Sequence, residues 1–599
     1  MTMRAPQARV DDVEDDPIRI LSPHWEKTPA FEPRPGAATD AAWFLLSWGP
    51  SRCADALAAT LRESAPGVDV RRVDVATESV EPPDDGAGTE QRHVFFVDGT
   101  APLTGPDVAD AANWAWTDAV VHACQAVASR PGARVWMVTR TGLHGSGARD
   151  VVRPEHDFVW ALGRCHAAES SESWGGLVDL DVDDPTTAGR MLADYLLSDS
   201  AEDEILLQDD GPLVARLRAS SLPPTARNQS LSTERLHIVS GGAAGLSFEI
   251  ERWLARRGAK RLLILGRSPL DAERERNIHL LKELGCGVEY EVLDVGDPAA
   301  VHTLTARLRQ RGDALGGVFH LASHWRLDGR SCVSSLRTAT DEQTRVLLAT
   351  KAGGALLLGE LAEDLGAEAM VLFSSAAATL GSPGQANYAA ANAVLDGVAR
   401  RLHRGRVRAV SIAWGPVGEV GFGATPDGAR LHDVWQRLGL RRLTVVQVLS
   451  AVDMALSQDQ PNLTVVSWDA AGADALPWVG VRPALEPLAA GQQQGLALRR
   501  LGELAGEDRV EYIVHVMGGH LARILSRAPE EIDPESSFAM MGVDSLIALE
   551  VLFVVEREFA VRLGLDQVLL GMDSTLAVMA RQLDQQLREV STQTSGSPR

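Results

Sequence analysis

Cysteine is scarce in this chain of 599 residues, with five in all, at Cys53, Cys124, Cys165, Cys286 and Cys332. They are odd in number, widely spread and never in a C-x-x-C arrangement, which argues against a disulfide framework and against the common zinc spacings. Positive charge is also in deficit: the formal net charge is −23, so the molecule as a whole should repel nucleic acid and anionic membrane surfaces. No apolar run approaches membrane-spanning length, and the opening MTMRAPQARVDDVEDDP lacks the apolar core of a signal peptide. A reduced, cytoplasmic setting without a membrane or a nucleic-acid partner is therefore expected. Tyrosine is rarer still, with four in the chain, so the position of each one carries information.

What is present has the balance of a globular protein, 45% hydrophobic and 23% charged, at a length that calls for several domains. Residues 1–20 read as a flexible leader. Over 21–228, apolar runs such as WFLLSW, HVFFVDG and ARVWMVT alternate with helical patterns such as DALAATLRE and WTDAVVHACQAVAS. The alternation restarts at 229–475, where HIVS, RLLILGR, VEYEVLDV, GGVFHLAS, AMVLFSS and VRAVSIAWG read as strands separated by helices. The predicted fold class is α/β, as two Rossmann-like, doubly wound parallel-sheet subdomains. Residues 476–506 read as a linker, 507–590 as a small four-helix bundle and 591–599 as a disordered tail.

Two stretches carry chemistry. Ser240-Gly241-Gly242-Ala243-Ala244-Gly245-Leu246-Ser247 lies between a strand and a helix, where backbone N–H groups can approach a pyrophosphate at a helix N-terminus. Arg267 follows the second strand, where a guanidinium can grip a 2′-phosphate, and Asp294-Val295 follows the third, beside an adenine edge. Further on, Tyr388 and Asn392 share one helical face at i, i+4 spacing. Ser375 stands thirteen positions before Tyr388, and Lys351 thirty-seven before it.

In these residues the sequence resembles the short-chain dehydrogenase/reductase family, and specifically the ketoreductase domains of modular polyketide synthases, whose loop is T-G-G-x-G-G-L-G. The resemblance implies NADPH as cofactor, held by Ser240, Gly241, Gly242, Gly245, Leu246, Arg267, Asp294 and Val295. It implies that Tyr388 gives a proton, Ser375 hydrogen-bonds the ketone, Lys351 tunes the tyrosine and Asn392 completes the relay. Residues 21–228, through FVWALGRCHAAE and SWGGLVDLD, resemble the non-catalytic half of such ketoreductases. Trp160 and Trp174 then read as core anchors. Leu380 stands where enzymes setting an L-hydroxyl carry tryptophan, and Leu327-Asp328-Gly329 approximates the L-D-D of the opposite class, which points to a D-hydroxyl product.

Gly542-Val543-Asp544-Ser545-Leu546 at a helix start resembles the G-x-D-S-L of acyl carrier domains, with Ile532-Asp533-Pro534 upstream. That resemblance implies covalent 4′-phosphopantetheine on Ser545, with Leu546, Leu549 and Glu550 on the face that partners read. The implied substrate is a β-ketoacyl thioester. The implied partners are a phosphopantetheinyl transferase, and a ketosynthase and an acyltransferase on separate polypeptides. Ala244, Ser247 and Ser323 occupy places the family gives to glycine. A silent reductase that serves only as scaffold and acyl carrier is the competing reading.

Overall fold

The computed structural model describes residues 18–77, 90–97, 114–140, 152–220, 231–418, 440–468, 482–488, 506–525, 527–543 and 574–595, with isolated positions between them. The first half supplies strands β1 (Arg19–Lys27), β2 (Ala41–Ser47), β3 (Val70–Asp74), β4 (Glu90–Phe96), β5 (Ala133–Thr139), β6 (Trp174–Asp181), β7 (Glu204–Gln208) and β8 (Leu213–Ser220). The second supplies β9 (Leu236–Ser240), β10 (Arg261–Gly266), β11 (Gly287–Val292), β12 (Leu315–His320), the short pair β13 (Arg326–Leu327) and β14 (Arg330–Ser331), then β15 (Ala369–Ser375), β16 (Arg408–Trp414), β17 (Leu440–Arg441) and β18 (Asn462–Trp468).

Apart from the β13–β14 hairpin these join one 16-stranded sheet, ordered β11-β10-β9-β12-β15-β16-β18-β1-β8-β7-β6-β5-β4-β2-β3, with β17 beside β18. The strands β2 to β7 and the strands β9 to β12, β15, β16 and β18 pair in parallel, as the apolar strand patterns foretold, whereas β8 and β17 join as antiparallel strands. The join is antiparallel: Leu21 of β1 faces Thr464 of β18 on one side and Ala219 of β8 on the other. The two expected α/β units are thus one continuous sheet. The sequence reading missed β18, because NLTVVSW is an isolated run just ahead of a segment that reads as linker.

Helices α1 (Arg52–Ser64), α2 (Ala115–Ala128), α3 (Pro154–Glu169) and α4 (Pro185–Leu196) cover the first half. The second carries α5 (Gly245–Arg256), α6 (Ala272–Glu283), α7 (Pro298–Arg311), α8 (Asp341–Leu348), α9 (Gly354–Asp364), α10 (Ala376–Leu380), α11 (Ala386–His403) and α12 (Val445–Ser457). Their ends follow local chemistry: Asp297 caps α7 ahead of Pro298, and left-handed Gly312 closes it. On one face a single apolar core runs through both halves, joining Trp160 and Phe158 of α3 to Val394 and Val398 of α11. Trp160 and Trp174 are buried there, as expected of core anchors. Separate cores fill the opposite face of each half.

Two expected boundaries shift. Residues 482–488 do not read as free linker, because Pro483–Leu488 forms a 3-10 turn with Ala484, Leu485 and Leu488 buried, and Arg482 is 1% exposed. Composition alone cannot reveal that one arginine in a Pro/Ala stretch enters a core. The last helix, Leu576–Ser595, runs into the segment expected to be tail. With Glu507–Ile524 and Phe538–Met541 it surrounds a core that includes Ile513, Phe538, Phe559 and Leu583. No helix among the described residues is long and apolar enough to cross a membrane.

Candidate active site

The glycine loop follows β9. Gly241, Gly242 and Gly245 take φ of 122°, 78° and 57°, a region where a side chain is strained. Ala244 is extended, at φ −152° and ψ 160°, a conformation any residue adopts. Ser247 lies inside the first turn of α5. The glycines kept are therefore those the backbone requires, and the replaced positions do not strain it. The N–H groups of Gly241 and Gly242 both reach the Leu265 carbonyl at 3.0 Å, which ties the loop to the end of β10.

Ser240 belongs to the sheet rather than to the cleft. Its buried hydroxyl accepts from the Leu321 and Ala322 N–H groups and lies 2.8 Å from His320 Nδ1. Burial, aided by the Lys351 charge, pushes the His320 imidazole down to about 3, so it is neutral. Its Nε2 is 3.0 Å from the Lys351 carbonyl, which can only accept. Nε2 therefore carries the proton and Nδ1 accepts from Ser240. The serine expected to touch cofactor instead links the ends of β9 and β12 to the backbone of Lys351.

Arg267, Ser268, Arg274 and Tyr290 line the outer end of the cleft with Asp294 and Val295. The Tyr290 hydroxyl donates to the Ser268 carbonyl at 2.7 Å, holding the turn that carries Arg267. Asp294 Oδ1 accepts from the Gly296 N–H at 2.9 Å, so this carboxylate shapes its own loop. Arg274 and Tyr290 were not singled out by sequence. Their proximity depends on how α6 and β11 pack against the loop.

At the inner end, Lys351 sits on a π-helical turn, Ala349–Gly353, between α8 and α9. Its buried ammonium donates to the Phe373 carbonyl at 2.9 Å, and burial lowers its pKa to about 8. Ser375 ends β15 and caps α10, its Oγ accepting from the Ala377 N–H at 3.3 Å. The same hydroxyl lies beside the Tyr388 phenol. Burial raises the Tyr388 phenol above its usual pKa, while the adjacent Asn392 and Ser375 side chains act in the opposite direction. Asn392 sits one turn on, its Nδ2 donating to the Tyr388 carbonyl at 2.8 Å. Its buried Oδ1 has no hydrogen-bond partner in the protein.

Lys351, Ser375 and Tyr388 line the same cleft of about 700 Å³ as Gly241, Gly245, Leu246 and Arg267. Asn392 lies behind Tyr388, outside that lining. The mouth gains Trp325, Ser331 and Val333 from the β13–β14 hairpin, whose tip is the Leu327-Asp328-Gly329 fingerprint. Asp328 and Gly329 take φ of 49° and 78°, the left-handed pair a tight hairpin demands.

The first half holds this site from behind. Glu169 accepts from the N–H groups of Leu336 and Gly384, each at 2.8 Å. Burial pushes its carboxyl up to about 7 against the pull of those two amides. Arg164 pairs with Glu204 and donates to the Ala378 carbonyl at 3.1 Å, while Arg482 bonds Glu204 and the Leu380 carbonyl. Three residues from outside the catalytic half thus fix the turn between Ser375 and Tyr388. Arg164 and Glu169 lie in the FVWALGRCHAAE stretch, but nothing local marked their role or that of Arg482, since the backbone groups they hold lie more than a hundred residues away.

Among the described residues no cluster of His, Cys, Asp and Glu could hold a metal. Ser545, and with it Leu546, Leu549 and Glu550, lies outside the described residues. Just upstream, Gly542 closes a short helix in the left-handed conformation and Val543 is buried.

Residues 236–419 match the family described as KR domain, and residues 518–583 the phosphopantetheine attachment site. Erythronolide synthase EryA3 of Saccharopolyspora erythraea is 32% identical over 434 residues, covering 70% of this chain and 13% of its own length. Polyketide synthase GfsA of Streptomyces halstedii is 31% identical over 440 residues, covering 70% and 6%. The chain therefore spans only a small part of these curated relatives. Among solved structures, an A1-type ketoreductase shares 27% identity at a TM-score of 0.65, covering 79% of this chain and 97% of that one. A-type ketoreductases from a modular polyketide synthase share 26% at the same TM-score, covering 78% and 97%. With both domain matches falling on the sheet and the helical unit described above, the chain carries a KR domain followed by a phosphopantetheine attachment domain, and its curated relatives are polyketide synthases.

Proposed function

We propose that the cleft binds NADPH and reduces a β-ketoacyl thioester, carried on phosphopantetheine at Ser545, to the β-hydroxyacyl thioester. The observation that carries this reading is the convergence of Lys351, Ser375 and Tyr388 with the glycine loop on one cleft. The residues fit the cofactor: the loop keeps glycine at its positive-φ positions, and Arg267 and Arg274 stand where a 2′-phosphate would need cations. Bound NADPH supplies the hydride. The Ser375 hydroxyl donates to the ketone oxygen and holds it toward Tyr388. As charge develops on that oxygen, the Tyr388 phenol donates its proton, and the Lys351 ammonium stabilises the phenolate left behind. Asn392 Oδ1 is the free acceptor next in line behind Tyr388.

Phosphopantetheine on Ser545 would deliver the thioester as a tethered reactant, raising its local concentration at the cleft. A phosphopantetheinyl transferase must load that arm, and a ketosynthase and an acyltransferase on separate polypeptides must build the β-ketoacyl chain. We place this chemistry in the cytoplasm, in keeping with five free, buried cysteines. The competing scaffold reading rested on Ala244, Ser247 and Ser323; of these, the two in the loop, Ala244 and Ser247, do not strain it.

Intact-mass analysis of the carrier after loading a β-ketoacyl group, with and without NADPH, tests the reading. A gain of two hydrogens that depends on NADPH is expected, with a D-hydroxyl product by chiral analysis. Tyr388→Phe should abolish turnover while sparing nucleotide binding. Ser545→Ala should abolish loading while leaving reduction of a small free β-ketothioester intact. Nucleotide binding without any reduction would leave only the carrier function.

A further inference from the structure

Ser247 replaces a family glycine in the first turn of α5, and nothing in the protein explains its hydroxyl. It is 6% exposed, yet it makes no hydrogen bond to any protein group. A serine at this place in a helix commonly bonds back to its own backbone, which this one does not. Ser247 instead lines the cleft. Its Oγ lies directly beneath Gly241, 2.2 Å from where a Cβ on that glycine would stand. The first bond closing α5 runs from the Phe248 N–H to the Ala244 carbonyl at 3.4 Å, so the N–H groups of Gly245, Leu246 and Ser247 are the orphan donors of this helix start, while those of Gly241, Gly242 and Ala244 are bonded within the loop and to Leu265. The hydroxyl is thus a donor without a protein partner, on a largely buried residue that lines the cleft at a helix start.

We propose that the Ser247 hydroxyl is a ligand of the dinucleotide pyrophosphate, donating to a phosphate oxygen beside the amides of the loop. A hydroxyl with no protein partner is available to a ligand, and hydrogen bonds to a charged acceptor are the stronger ones. Where the family's glycine offers only room, this chain offers a donor. The assignment rests on the reading of the cleft as an NADPH site and adds to it a residue that reading does not need. It also separates two kinds of contact: the pyrophosphate is common to NADPH and NADH, whereas the cations at Arg267 and Arg274 act on the 2′-phosphate alone.

The test is nucleotide affinity of the full chain, by calorimetry, for NADPH and NADH with wild type, Ser247→Ala and Ser247→Gly. Loss of a hydrogen bond to a charged oxygen should weaken binding about tenfold. Both variants should weaken NADPH and NADH by the same factor, and their melting temperatures without nucleotide should not fall. Unchanged or tighter binding in either variant would overturn the assignment and mean that the hydroxyl only crowds the loop. A loss confined to NADPH would also overturn it, since the contact would then be to the 2′-phosphate. Failure of the wild type to bind either nucleotide would instead overturn the cofactor reading, and this inference with it.

Discussion

Glu251 is a carboxyl with nowhere to go. On α5 it is fully buried, both oxygens lack a hydrogen-bond partner, and burial holds its pKa well above the ordinary 4.5. Below pH 4.5 the group is neutral in the folded and the unfolded chain alike. As pH rises past that value the unfolded chain releases a proton that the folded chain retains, so stability falls until the raised folded pKa is reached. Glu251→Leu removes both this loss and the buried polar group, and should stabilise the reductase by about 1–3 kcal/mol at pH 7.5. Glu251→Gln should recover only the pH-dependent part. Melting temperatures of the three proteins between pH 5 and 8 check this, with the gain of Glu251→Gln shrinking toward pH 5. A second residue sets the pH limit of turnover. Lys351 loses its proton around pH 8 because it is buried. If its ammonium stabilises charge on Tyr388, kcat at saturating NADPH should fall above pH 8 rather than near the ordinary lysine value of about 10.4. A flat profile to pH 9.5 would remove Lys351 from the chemistry.

Between elements, the contact that decides the site is α3 against α11. Gly397 lets the helices approach: an added Cβ would come 2.4 Å from Asp157 Oδ2 and 2.5 Å from Pro154 Cα. Asp157 in turn holds Arg400 through both oxygens at 2.6 Å. Gly397→Ala must push α3 away, and should cost about 1–3 kcal/mol. Since α3 carries Glu169 and Arg164, kcat should fall as well, while nucleotide affinity at the distant loop is kept. Thermal denaturation and steady-state kinetics measure the two effects. This contact also shows where sequence stops being readable. RLLILG is a buried strand by its own composition, and Tyr388 with Asn392 is visible because a helix repeats every turn. The grip of Glu169 on Gly384, the turn of Ser240 toward His320 and the burial of Arg482 depend on segments roughly 80 to 280 residues apart. Local pattern carries no record of such pairings. Ser545 was legible only as a motif, and its surroundings stay with that reading.

At the scale of the whole molecule, one strand joins the two halves. β1 pairs with β8 from Ile20 to Lys27 and with β18 from Arg19 to Leu21, so it closes two edges that would otherwise lie open. Open edges invite pairing with other chains, and the outer strand β11 blunts its own with Glu289 and Glu291, paired to Arg311 and Arg307. The inner join is spanned by the ion pair of Arg218 on β8 with Glu26 on β1, and it depends on β1 staying in register. Leu21 is the residue to test, because it is 1% exposed and paired on both sides. Leu21→Ala removes apolar contact, at about 2–5 kcal/mol. Leu21→Pro also removes a backbone donor where β1 is paired on both sides, unlike at the native Pro23, which pairs with β8 alone. Calorimetry of the full chain should show the reductase transition falling further for Leu21→Pro than for Leu21→Ala, with added self-association by size-exclusion chromatography. The carrier transition should stay in place in both, because its core around Phe538 and Leu583 is a separate cluster. Equal shifts without self-association would mean that β1 fills the core without holding the sheet together.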